Sequence, residues 1–191
     1  LRYATLYNPT APVRFDNGEY FQAILFDNFN PVAIVEQNIN DGQNKNLNYN
    51  VQAEFDVIDE LSLSANFGQQ FNSRSNGEFY PSNSFFRGLN RDGLARRFFE
   101  DNEFTLFETF ANYVDSFEDF NINVTAGYSF QEDFVENLTL ELGNLPSNDL
   151  GYYGIDLSGD RVLGNSANVF VDSFASPDER ISAYFGRVNI T

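Results

Sequence analysis

The chain has 191 residues, a net charge of −17 and no His, Cys or Met. These absences exclude disulfides, thiol nucleophiles and imidazole bases, and the acidity disfavours nucleic acid and anionic lipid head groups as partners. No apolar run reaches the ~18 residues of a transmembrane helix, and no basic and then apolar leader opens at Leu1, so the chain reads as an internal piece of a longer protein.

Residues 1–45 carry Pro9, Pro12 and Pro31, each of which fixes φ and disfavours helix just before it, so 8–31 is predicted to be irregular. Asp16-Asn17-Gly18 reads as a turn; it lacks the remaining ligand positions of a calcium loop. Pro31 suits the first turn of a short helix that continues through Val35 or Glu36.

From residue 46 the pattern changes. Leu47, Tyr49, Val51, Ala53, Phe55 and Val57 alternate with Asn46, Asn48, Asn50, Gln52, Glu54 and Asp56. A strand turns its side chains over at every second residue, so 46–57 is a two-faced strand. It is long enough to cross a bilayer at a tilt, which takes about 9–11 residues. Alternation recurs over 61–72 (Leu61, Leu63, Ala65, Phe67), over 120–131 (Phe120, Ile122, Val124, Ala126, Tyr128, Phe130) and over 180–191 (Tyr184, Gly186, Val188, Ile190). A weaker strand, 103–114, mixes both kinds of residue on both faces. Its even positions include Phe104, Leu106 and Phe110 but also Glu108 and Asn112, while the odd ones include Phe107, Ala111 and Tyr113 with Thr105 and Thr109. Either face could meet the apolar phase.

The connections alternate between short, at Ile58–Glu60 and Asp115–Asp119, and long, at 73–102 and 132–179. Compact soluble domains rarely carry structureless loops beyond about 15 residues, whereas outer-membrane barrels pair short periplasmic turns with long extracellular loops. The expected class is therefore all-β: about five strands of a transmembrane antiparallel β-barrel with long extracellular loops, in which 1–45 ends an earlier loop. The 17% aromatic content suits the interfacial girdles of such a wall. A soluble antiparallel β module that binds carbohydrate is the rival reading, and a porin or adhesin barrel a third. Carboxylate pairs such as Glu132-Asp133 lie in polar sequence with nothing to separate their pKa values, and no phosphate-cradling glycine loop occurs. The expectation is a non-enzyme with no cofactor and no metal site.

Several segments resemble, in order, the SusC/RagA-type TonB-dependent transporters of Bacteroidota. They are Asn8-Pro9-Thr10-Ala11-Pro12-Val13, Asp16-Asn17-Gly18-Glu19-Tyr20, Asn30-Pro31-Val32-Ala33, Phe55 to Leu63 with Asn66-Phe67-Gly68, Tyr80-Pro81-Ser82, Ala126-Gly127-Tyr128-Ser129, Gly143 to Leu150 and Tyr184 to Asn189. The resemblance implies a 22-stranded barrel in the bacterial outer membrane that imports a glycan or peptide. It also implies a SusD-like lipoprotein partner and coupling to TonB through a plug domain that this chain does not contain. Recognition residues would then lie in the two long loops. The candidates are Phe79, Tyr80, Phe85, Phe86, Tyr152 and Tyr153, whose rings can stack on sugars or pack a protein interface. The competing reading is that these rings close the loops on themselves.

Overall fold

The computed structural model describes residues 2–23, 29–164, 168–176 and 179–191, so parts of the stretches 1–45 and 132–179 discussed above lie outside the described residues. Two short helices come first, α1 (Arg2–Leu6) and α2 (Pro31–Gln37). A six-stranded sheet follows, made of β1 (Ile39–Ile58), β2 (Leu61–Tyr80), β3 (Leu94–Ser116), β4 (Asn121–Gly143), β5 (Phe170–Ala175) and β6 (Glu179–Ile190). Its order is β1-β2-β3-β4-β5, with β6 also paired to β4. The sheet is mostly antiparallel and does not close. Among the described residues no helix is long and apolar enough to cross a membrane, which leaves strand crossings unaddressed.

The strands run well past the alternating segments. β1 and β2 have 20 residues each, and β3 and β4 have 23 each, about twice what a bilayer crossing needs. The expected loop 73–102 therefore shrinks to 81–93. The expected loop 132–179 shrinks to 144–169 and yields an additional strand, β5. Asn40 to Lys45 has no apolar side chain to alternate, and Gln131 to Glu141 mixes polar and apolar residues on both faces, so a period-2 reading stops there. A strand needs only a hydrogen-bonding neighbour to continue, and the neighbour is supplied by pairing remote in sequence.

By contact density the chain divides into two units. Unit 1 gathers Leu1–Gln43, Arg74–Phe99 and Leu138–Ser173; unit 2 gathers Asn44–Ser73, Glu100–Asn137 and Phe174–Thr191.

Unit 1 has a packed interior. Phe79, Ala95, Leu145 and Tyr152 form a buried cluster against which Ile155 packs. Gly77 lies under the Tyr152 ring: a Cβ there would stand 2.6 Å from ring carbon Cε2. In the N-terminal part, Gly18 takes φ +87°, a value that glycine adopts without strain, and turns a small hairpin closed by the Arg14–Tyr20 bridge. Asn30, 1% exposed, joins this hairpin to α2. Its Oδ1 accepts from the Val32 and Ala33 N–H groups at 3.0 and 3.4 Å, as an N-cap should, while its Nδ2 donates to the Val13 and Phe21 carbonyls at 2.8 and 2.9 Å.

Unit 2 is different in kind. The antiparallel β4–β6 register sets Ile122 opposite Ile190, Val124 opposite Val188, and Tyr128 opposite Tyr184, and alternates them with Asn123–Asn189 and Thr125–Arg187. One face is thus apolar and the other polar across the pair. The polar face carries a ladder of side-chain hydrogen bonds: Asn50 to Asn66 (2.8 Å), Asn66 to Glu108 (3.4 Å) and Thr125 to Asn112 (3.0 Å). That ladder settles the orientation of β3. Glu108 and Asn112 share the polar face with Asn50, Asn66 and Thr125, so Thr105, Phe107, Thr109, Ala111 and Tyr113 join the apolar one. Gly127, on the polar face opposite Phe185, leaves room for the Phe185 ring, which a Cβ would strike. Among the described residues of unit 2 no apolar side chain is buried.

Candidate functional site

The six aromatic candidates all fall in unit 1 and separate into two groups. Phe79 (2% exposed) and Tyr80 (8%) close β2 rather than sitting in a loop, and the Phe79 side chain is part of the core with Tyr152 (9%). Their burial follows from the return of residues 144–157 across the strand ends, which the sequence pattern does not reveal. Phe86 joins an edge-to-face cluster with Tyr80 (5.7 Å), Tyr3 (5.5 Å) and Phe29 (5.4 Å). These four rings therefore serve the fold. Phe85 (42% exposed) and Tyr153 (73%) are the two that face outward.

Tyr153 stands on a prepared base. Its ring lies 4.5 Å from that of Tyr152 and its hydroxyl accepts from the Tyr152 hydroxyl at 3.4 Å. The Arg97 guanidinium sits 5.1 Å from the Tyr152 ring centre, 5.5 Å from that of Tyr153 and 4.9 Å from that of Phe99, within reach of cation–π attraction. The Tyr152 phenol is pushed up to about 12 by its bond to Tyr153, by burial and by its 3.2 Å contact with the Asp41 carboxylate. Around Tyr153, Leu150, Leu157, Val162 and Leu163 are also exposed, which leaves a largely apolar outer surface on residues 150–163.

Behind this surface lies an ion network that sequence reading missed. Arg87 pairs with Glu141 at 2.9 Å and approaches Glu78 at 3.8 Å; Arg91 meets Asp160 at 3.3 Å; Arg96 approaches Glu78 at 3.7 Å. Asp160 is 4% exposed, and its Oδ2 also accepts from the Gly143 N–H at 3.2 Å. Ser158, fully buried, donates to the Gly143 carbonyl at 2.5 Å. The segment 144–160 is thereby folded back and fastened at both ends. The available signal was the crowding of Arg87, Arg91, Arg96 and Arg97 in a chain with only 11 basic residues.

A second feature of unit 1 is a cleft of about 750 Å³ beside the Gly18 hairpin. Phe15, Tyr20, Gln22, Gln37, Asn83 and Phe85 are among its lining residues. The Tyr20 wall is fixed: Arg14 stacks 4.0 Å from the Tyr20 ring centre and pairs with Glu36 at 2.7 Å, and the Tyr20 hydroxyl donates to the same carboxylate. That bond to Glu36 raises the Tyr20 phenol; the bonds from Tyr20 and Arg14 lower the Glu36 carboxyl. Among the described residues no three His, Cys, Asp or Glu side chains gather to hold a metal ion.

No protein-family model matches the chain. In sequence it is similar to TonB-dependent receptor P3 of Formosa agariphila, with 24% identity over 160 residues that cover 84% of this chain and 15% of that protein. In backbone it is similar to the RagAB peptide importer in its closed-closed state, with TM-score 0.74 and 15% identity over 92% of this chain and 19% of that one. A structure of the RagAB peptide transporter gives TM-score 0.75 and 16% identity over 91% of this chain and 19% of that one. The chain thus spans less than a fifth of the length of each of these proteins. Its open antiparallel sheet has the same fold as part of the RagAB barrel. In sequence the chain is thus similar to a TonB-dependent receptor, and in backbone path to part of the RagAB transporter.

Proposed function

We propose that this chain supplies part of the wall and an extracellular cap of an outer-membrane importer. The remainder of the protein would carry the plug through which TonB drives uptake, and a SusD-like lipoprotein would close the outer face over a peptide or glycan. The observation that carries the wall reading is the state of unit 2. A soluble antiparallel sheet buries one of its faces. Here the apolar face holds Val51 (61% exposed), Phe55 (68%), Val188 (61%) and Ile190 (65%), and among the described residues no apolar side chain on either face is buried. Such a face is stable only against a second apolar phase or a partner of equal extent. A bilayer is the apolar phase that the alternation and strand length fit.

The expected behaviour of residues 1–191 expressed alone is aggregation in water and dispersal only in detergent. A monodisperse monomer with a single cooperative melt in plain buffer would remove the wall reading and restore the soluble module. The cap reading rests on the outer surface around Tyr153. Deleting 144–169 would be a poor test, since Leu145 and Tyr152 belong to the core of unit 1. Replacing Leu150, Tyr153 and Leu157 together by Ser keeps that core. It is expected to leave outer-membrane insertion intact and to reduce co-purification of the lipoprotein or growth on the cognate nutrient. Wild-type levels of both would move recognition away from this surface.

A further inference from the structure

We infer that the cleft beside the Gly18 hairpin is a binding site for a neutral oligosaccharide. Its volume of about 750 Å³ lies within the ~300–1,000 Å³ of small-ligand sites. The lining combines two elements that sugars require. Phe15 and Phe85, 49% and 42% exposed, offer ring surface on which the C–H face of a pyranose can stack. Gln22, Gln37 and Asn83 offer amide groups, each of which can donate to one hydroxyl and accept from another.

These amides are not consumed by the fold. The one bond that Gln22 makes is at its Oε1, which accepts from the Asn30 N–H at 3.0 Å, so its amide NH2 is unspent. Gln37 and Asn83 make no side-chain hydrogen bond within the described residues. By contrast, Asn17 and Glu19, also in the lining, are bound to one another: Asn17 Nδ2 donates to the Glu19 carboxylate at 3.0 Å, and its Oδ1 accepts from the Glu19 N–H at 3.1 Å. The wall is also preorganised, because Tyr20 is held by Arg14 and Glu36, and a fixed wall lowers the ordering cost of binding.

The charge pattern narrows the ligand class. Among the described residues that line the cleft there is no Lys or Arg, and the chain carries a net charge of −17. Uronate, sulfate and phosphate groups would enter unpaired and against the field. A peptide with free ends would likewise meet only Arg14, which is already paired with Glu36 at 2.7 Å. A ligand with hydroxyls on its rim and C–H on its faces leaves no charge unpaired. The inference rests on the importer reading for its purpose, the capture of a glycan outside the cell, and on the cleft's own lining for its chemistry.

The test is binding of the complete protein, in detergent, to an array of neutral oligosaccharides, acidic oligosaccharides and short peptides, followed by calorimetry on the neutral glycan that binds best. Phe85→Ala and Phe15→Ala are each expected to weaken that glycan about tenfold, the scale of one lost ring contact. Gln37→Ala is expected to weaken it several-fold. All three residues are partly or fully exposed, so outer-membrane insertion and heat-modifiable migration should match wild type and exclude misfolding. Absence of any neutral glycan on the array, preference for a peptide or an acidic glycan, or unchanged affinity in both ring variants would each overturn the inference. If insertion and nutrient uptake persist in those cases, the importer reading stands and the cleft assignment alone falls. If the complete protein does not insert, it is the importer reading that fails.

Discussion

Unit 1 and unit 2 share the same long strands and solve the burial problem in opposite ways. Unit 1 brings residues 144–157 back over the strand ends, so that Phe79, Leu94, Ala95, Leu145 and Tyr152 leave water. Unit 2 has a single layer, with its polar side chains hydrogen-bonded along one face and its apolar side chains outward on the other. The first is stabilised by a core that it makes itself; the second depends on what surrounds it.

The sharpest way to break this comparison is to remove the core of unit 1. Phe79→Ala should cost about 3–5 kcal/mol, the transfer term plus the cavity left behind. The loss should appear as rapid proteolysis within 144–164, with barrel insertion retained. Abolished insertion would mean that the two units are not separable in stability. Next in size is a charge on the wall. Val188→Arg should cost about 2–4 kcal/mol if the site lies near the midplane, and Asn189→Arg, one residue on and on the polar face, much less. A refolding titration into lipid vesicles measures both, and equal tolerance would show that the apolar face does not meet lipid.

A smaller effect sharpens the account of the cap. Gly77→Ala drives a Cβ into the Tyr152 ring, and such overpacking costs about 1–3 kcal/mol. The expected signature is faster hydrogen exchange in 150–157 without change in the wall strands. Smallest is the alkaline limit of the same ring. The Tyr152 phenol rises from 10.0 to about 12 in the folded state. The unfolded chain therefore loses this proton first, so the contribution to stability is full below pH 10 and is lost as pH climbs toward 12. In a titration followed at the tyrosinate band, Tyr152→Phe should delete the last-ionising component. A variant curve that keeps that component would place it on another tyrosine.

The faces of β1, β2, β4 and β6 were legible because a sheet with one apolar and one polar face imposes period 2, and period 2 is visible in one sequence. Gly18 and Pro31 were legible for a similar reason: a turn glycine and a helix start are decided by a few neighbouring residues, whereas the Asn30 cap emerged only from the structure. What the sequence left open has one physical origin, which is pairing between residues far apart. β3 carries apolar residues on both faces, and only the reach of Asn66 to Glu108 and of Thr125 to Asn112 shows which face is polar. Strand ends beyond the alternating stretch depend on the neighbour's hydrogen bonds, not on the strand's own side chains. The aromatic candidates look alike in sequence. Yet Phe79 and Tyr152 are buried while Phe85 and Tyr153 are not, because the chain returns across the first two and not the others. Arg87 and Arg91 find Glu141 and Asp160 at separations of 54 and 69 residues. Local composition determined that this chain makes two-faced strands; only the tertiary structure decided where those strands are covered and where they are left bare.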